Sequence, residues 1–207
     1  MKRQHIASIV IVSASLAVGI ALAAQDKYTL RVPNGLAFSD FKGYEDWQVV
    51  SVAPTDEVLK VIVANPTMIN AYRAGVPGNG NPFPNGSKIA KLQWKPKKST
   101  EAPFSVNVPD TFTQAFFIEK DSTRFPNSAG WGYALFNYDA ASDTFAPDGK
   151  GDNCGHACHT AVKAKDYIFH PYQRRRTGNR VSAWTSKSTT ACRRSPNTAS
   201  AMAPVHM

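Results

Sequence analysis

The sequence predicts a mainly β domain of the α+β kind: an antiparallel sheet of about five strands with a few short helices. A cysteine–histidine segment lies near the C-terminal end of that domain. Three observations carry this expectation. Runs rich in β-branched and aromatic residues recur along the middle of the chain. Clusters of Gly, Pro, Asn and Ser separate them. Only one stretch between those runs has the signals of a helix start.

The elements follow in order. Residues 47–52 form an apolar run, and residues 58–64 (VLKVIVA) are β-branched enough to read as a second strand. Asn65-Pro66 stops it and opens a short helix over residues 66–74, with Asn65 as N-cap and Pro66 in the first turn. Residues 75–87 hold four Gly and three Pro and read as loop. Residues 88–94 alternate, with Ile89, Lys91 and Gln93 on one face and Ala90, Leu92 and Trp94 on the other. Residues 113–119 and 132–138 are aromatic-rich strands, joined through a turn at Pro126-Asn127-Ser128. Trp94, Phe116, Phe117, Trp131, Tyr133, Phe136 and Tyr138 are the expected aromatic packing residues.

The ends differ from the middle. Lys2 and Arg3 precede an uncharged, largely apolar run over residues 6–22. Ala21-Leu22-Ala23 has the small-x-small pattern of a cleavage site. Residues 1–23 read as a secretory signal peptide, and the exported product is expected in the periplasm. A retained membrane anchor is the rival, but the run is short and diluted by Ser8, Ser13, Ser15 and Gly19. No later segment is apolar enough to cross a bilayer, so no membrane contact is expected after cleavage. The domain spans residues 24–174. Residues 175–207 are a basic tail, expected to be disordered because few apolar residues are there to offset ordering entropy. The net charge of +9 comes from these ends: residues 25–173 hold 15 basic and 15 acidic side chains. That balance excludes a folded basic face for nucleic acid.

The chemistry concentrates in Asp152-Asn153-Cys154-Gly155-His156-Ala157-Cys158-His159. Cys-x-x-Cys-His is the usual attachment signature for haem c. Here three residues separate the cysteines, yet the inventory is complete: two thiols for two vinyl groups and a histidine for the iron. Gly155 and Ala157 are small enough to let the backbone pass close to a porphyrin. A local disulfide leaves His159 unexplained. A zinc site built from Cys154, Cys158, His156 and His159 is less expected in an oxidising compartment. Cys192 in the tail makes the cysteine count odd.

The stretch CGHACHTAVKAKDYIF, preceded by FPNGSKIAKLQW and GWGYALFNY, resembles the cytochrome P-460 family, which includes cytochrome c′-beta. The resemblance covers about residues 36–174. It implies a mostly antiparallel β fold, commonly a homodimer. It implies a covalent haem c held by Cys154 and Cys158, with His159 as axial iron ligand. In cross-linked members a lysine on the strand after an Asn-Gly type turn bonds to the porphyrin edge, and Asn85-Gly86-Ser87-Lys88-Ile89-Ala90-Lys91 places Lys91 there. Strand parity puts Lys91 with Ile89 rather than with Lys88.

Two departures matter. The hydroxylamine-oxidising members carry a distal carboxylate where this chain has Phe116, and an arginine where it has Lys60. Glu119 is offset from Phe116 by an odd number and is expected to face the other way. A Phe-lined distal side resembles that of cytochrome c′-beta, which binds small diatomic gases. Met68, His156 and His170 are the candidates for a sixth ligand and none is convincing, so five-coordinate iron with an open distal site is expected. The leading expectation is a protein that binds small nitrogen or oxygen species such as nitric oxide. The alternative is a haem oxidoreductase acting on hydroxylamine, nitric oxide or peroxide; a soluble electron-transfer partner is expected as well. A plain electron carrier comes third.

Overall fold

A computed structural model describes residues 24–33, 35–149 and 151–173, with the side chains of residues 151–154 outside that description. Residues 1–23, expected as a signal peptide, the basic tail and Cys192 therefore lie outside the described residues. No described helix is long and apolar enough to cross a membrane.

Six antiparallel strands form one meander in chain order: β1 (Gln48–Val52), β2 (Leu59–Ala64), β3 (Lys88–Lys98), β4 (Asn107–Lys120), β5 (Trp131–Asp139) and β6 (Thr144–Pro147). The expected mainly β architecture is present, with one more strand than expected. β6 was missed because four residues with Ala146 and Pro147 carry little β signal. β3 and β4 also run past their expected ends as a two-stranded arm, where Pro96 faces Pro109. Residues 95–98 and 107–110 have no further strand beside them in the sheet pairings. Proline at such positions forfeits no ladder hydrogen bond, so it does not end the strand.

The sheet separates two cores by side-chain parity. On one face, small and large residues alternate across the strands: Ala90 opposite Phe117 opposite Ala134, and Leu92 opposite Ala115 opposite Phe136. The alanines leave hollows for the N-terminal segment, whose Phe38 and Phe41 are fully buried there. Phe41 stacks on Phe117 at 4.3 Å, and Phe38 packs on the edges of Phe117 and Phe136. Sequence patterning missed the 3₁₀ turn that presents them, Phe38–Phe41. Its Asp40 carboxylate accepts from the Ala37 N–H, the kind of local bond that fixes a helix start.

The opposite face carries Ile62, Ile89, Ile118 and Tyr133. Against it packs α1 (Pro66–Arg73), whose Met68 and Ile69 are buried. Asn65 caps this helix as expected: its side-chain oxygen accepts from the N–H of Met68 and also from that of Lys88, both at 3.1 Å. One residue thus starts the helix and ties it to the first residue of β3. α2 (Gly151–His159) lies against β5 and continues into a 3₁₀ turn, Thr160–Lys165.

Candidate haem site

The site is a cavity of about 310 Å³ between the second sheet face, α2 and the chain that returns after it. Its floor is a row of cross-strand neighbours: Ile62 of β2, Lys91 of β3, Phe116 of β4 and Leu135 of β5. A second row, Ile89, Ile118 and Tyr133, adjoins it. Cys158 and His159 at the end of α2 line the cavity, as do Ile168, Phe169 and His170. Strand pairing therefore brings Lys91 and Phe116 to the same chamber as Cys158 and His159, although 67 residues separate Lys91 from Cys158 in sequence numbering.

α2 explains the irregular cysteine spacing. Positions 154 and 158 stand four apart on one helix, and residues at i and i+4 share a face. A spacer of three residues is the spacing a helix needs to present two groups together. The side chain of Cys154 lies outside the described residues, while Cys158 is an exposed free thiol. Gly155 is where α2 meets the sheet. A Cβ there would lie 2.5 to 2.7 Å from the Cγ, Cβ and Cδ1 of Tyr133. The sequence suggested that Gly155 makes room for a porphyrin; its missing side chain makes room for Tyr133 as well.

His159 is held from behind. Its Nδ1 lies 2.6 Å from the Tyr167 carbonyl, so Nδ1–H donates to it and Nε2 keeps a lone pair for a metal. Its ring sits beside Tyr133 at 5.1 Å and on the edge of Phe169 at 4.9 Å. Burial above all pushes its pKa down, and Lys91, His156 and His170 add to this against the Tyr167 hydrogen bond. A neutral imidazole with Nδ1–H engaged is the form that ligates iron.

The carbonyl that holds His159 exists because the chain turns sharply. Asp166 and Tyr167 are both left-handed, with φ of 48° and 63°. Two consecutive non-glycine residues there store about 1–3 kcal/mol each. The Asp166 carboxylate anchors the turn. It accepts from the Lys120 ammonium at 2.8 Å, the Trp131 indole N–H at 3.2 Å and the Phe83 N–H at 2.7 Å. Both ionic partners are nearly buried. Removing one partner from such a pair costs about 3–5 kcal/mol.

On the sheet side, the Lys91 ammonium lies 3.5 Å from the centre of the Phe116 ring. Burial, reinforced by nearby Lys60 and opposed by Cys158, pushes the Lys91 pKa down to about 8. Lys88, one parity step away, points to the other face and pairs with Glu119 at 3.2 Å. Glu119 is buried there and also meets Arg124 at 2.9 Å, so it faces away from the cavity as parity required. Met68 is core. His156 stacks on Tyr167 at 5.2 Å and does not line the cavity. His170, the third sixth-ligand candidate, does line it and is half-buried.

Sequence reasoning missed three parts of this site. Asp148, just before α2, is the one carboxylate among the described lining residues. The Tyr167 carbonyl is a backbone group with no sequence signature of its own. Asp166 follows a helical stretch as a polar residue before an apolar pair, a pattern too common to single it out. Among the described residues no cluster of three or more His, Cys, Asp or Glu side chains could hold a metal ion; the zinc alternative also draws on Cys154, whose side chain lies outside that description.

The residues present fit a haem. The chamber is mostly apolar, one histidine offers a tautomer-fixed nitrogen, and a thiol stands beside it. The cytochrome P460 family model matches residues 41–170, close to the span expected from the sequence motifs and more than half of the chain. A comparison with curated proteins found no significant match. With that match laid over a chamber suited to the cofactor, the chain belongs to the cytochrome P460 family and is a haem cytochrome.

Proposed function

We propose that this chain is a periplasmic mono-haem c-type cytochrome whose open, apolar distal side binds small nitrogen or oxygen species such as nitric oxide. Cys154 and Cys158 would hold the haem as thioethers, and His159 would be its axial ligand. Bound there, the iron supplies a coordination position for a small ligand and one-electron chemistry. The observation that carries the reading is the junction of Cys158, His159 and Phe116 in one cavity, with Nδ1 of His159 already engaged. Phe116 offers no proton acceptor, and Glu119 is turned to the opposite face. The floor of the chamber thus favours capture of a neutral ligand over deprotonation of a substrate. Family membership supports a homodimer and a soluble redox partner as further parts of this proposal.

A second reading, an oxidoreductase acting on hydroxylamine, nitric oxide or peroxide, draws on Lys91 and on Asp148. One set of measurements separates the two. The purified holoprotein is expected to be high-spin and five-coordinate, to bind nitric oxide, and to turn over hydroxylamine with an added electron acceptor no faster than free haem. A six-coordinate spectrum indifferent to nitric oxide would defeat both readings, and sustained hydroxylamine oxidation would favour the enzyme.

The tethers have their own test. The mass of the denatured protein is expected to include haem, and the double change Cys154→Ala with Cys158→Ala is expected to release it. Lys91 is the candidate third tether. Burial pushes its pKa down to about 8, so a larger share of its amine is unprotonated near neutral pH than for a free lysine. If Lys91 bonds to the porphyrin, haem stays on the double cysteine variant and Lys91→Ala then frees it. Unaltered haem spectra in Lys91→Ala, with a mass change no different from that of the substitution itself, would remove Lys91 from the attachment.

A further inference from the structure

We infer that Asp166 is a positioning residue for the axial histidine: with Lys120 and Trp131 it fixes the Tyr167 carbonyl on Nδ1 of His159 and so sets how strongly the imidazole donates to iron. The inference rests on His159 being the iron ligand, as proposed above. Its geometry is independent of that reading. The Asp166 carboxylate takes hydrogen bonds from three separate parts of the fold: Lys120 at the end of β4, Trp131 at the start of β5, and the Phe83 N–H of the loop before β3. Tyr167 is the next residue and shares the left-handed backbone. Its carbonyl lies 2.6 Å from Nδ1. The sheet therefore holds the turn through Asp166, and the turn holds the ring.

A carbonyl fixed at that distance withdraws Nδ1–H and makes the imidazole a stronger donor through Nε2. Stronger donation favours the ferric state and lowers the reduction potential. If Asp166 no longer anchors the turn, the carbonyl drifts and the ring rotates. Iron–histidine bonding weakens and the potential rises. Secondary structure need not change, because Asp166 lies after the last helical residue, Lys165.

The test uses the holoprotein. The iron–histidine stretching band of the ferrous form is recorded by resonance Raman, and the reduction potential is measured by titration. Asp166→Asn leaves the Lys120 ammonium buried without its partner, so the paired change Lys120→Met with Asp166→Asn, which removes both charges, is measured alongside. Trp131→Phe removes one of the three hydrogen bonds and leaves a smaller aromatic ring in its place. The expected result is a band that moves to lower frequency and broadens in both Asp166 variants, a potential that rises with it, and a smaller change of the same sign in Trp131→Phe. Folded Asp166 variants with the native band and native potential would overturn the inference, since a merely structural role would lower the melting temperature alone. His159→Ala is the control that separates the two levels. Should it leave the band in place, the assignment of the ligand fails, and the inference falls with it. Should it abolish the band while the Asp166 variants leave it untouched, only the inference fails.

Discussion

Gly155→Ala is expected to lower the melting temperature of the holoprotein and the yield of covalently attached haem, against the sign that helix propensity alone would give. Alanine in place of an interior helical glycine gains about 0.8–1 kcal/mol. Here the new Cβ would fall 2.6 Å from the Cβ of Tyr133 and 2.5 Å from its Cγ. The Tyr133 Cβ is fixed by the backbone of β5, so no rotamer change of the ring removes that contact. α2 must move off the sheet instead. Overpacking of this kind costs about 1–3 kcal/mol, and a contact with backbone-anchored atoms belongs at the upper end of that range. The net loss is then about 1–2 kcal/mol, equivalent to several degrees for a domain of this size. The functional effect is larger than the thermal one, because α2 carries both cysteine positions and His159. Displacing it moves them together relative to Lys91 and Phe116. A variant that melts at or above the wild-type temperature with full haem content would show that α2 has slack against β5. Gly155→Leu should then lose haem where Gly155→Ala does not.

The sheet was legible because its inward and outward faces are written in period-two patterns. VLKVIVA over residues 58–64 announced a strand whose Ile62 and Val63 reach opposite cores. The parity that separates Lys88 from Lys91, and Glu119 from Phe116, followed from the same alternation. What escaped was structure whose stability comes from elsewhere in the fold. The turn Phe38–Phe41 has no strong propensity of its own and exists because Ala90, Ala115 and Ala134 leave hollows for its aromatic rings. The arm beyond Trp94 survives its prolines because no third strand asks them for an N–H.

The candidate site divides in the same way. Cys154, Cys158 and His159 stand together in the sequence, so their residue types carried the signal. Their spacing is irregular only against the Cys-x-x-Cys-His signature. On α2 the same spacing is one helical turn. Lys91 and Phe116 were singled out by the family resemblance, with strand alternation supporting Lys91, and the register of β3 with β4 sets them side by side. The Tyr167 carbonyl, Asp148 and the Asp166 anchor depend on three-dimensional closure between segments far apart in the chain. A carbonyl is present at every residue. Only the left-handed pair at Asp166 and Tyr167 selects this one, and no composition rule points to a left-handed Asp-Tyr.

His159→Ala is expected to abolish the iron–histidine signature while leaving most of the fold intact, and the two effects can be weighed separately. In the haem-free chain the substitution removes one hydrogen bond, from Nδ1 to the Tyr167 carbonyl, together with ring contacts to Tyr133 and Phe169. A lost hydrogen bond of this kind is worth about 0.5–1.5 kcal/mol. His159 lines the chamber, so water can follow into the space its ring vacates and replace the ring nitrogen at the Tyr167 carbonyl. Stability should therefore fall by only about 1–2 kcal/mol. In the holoprotein the consequence is of another order: the proximal nitrogen is gone, and the spectrum should become that of iron without histidine. The space left by the ring faces the same carbonyl, so added imidazole should enter, donate its own N–H to Tyr167 and restore the band. His170 supplies the decisive comparison, because among the described residues it is the other histidine lining the cavity. His170→Ala should leave the signature in place. If the signature instead survives in His159→Ala and vanishes in His170→Ala, the axial ligand is His170. The bond between Nδ1 of His159 and Tyr167 would then serve only to pack the end of α2.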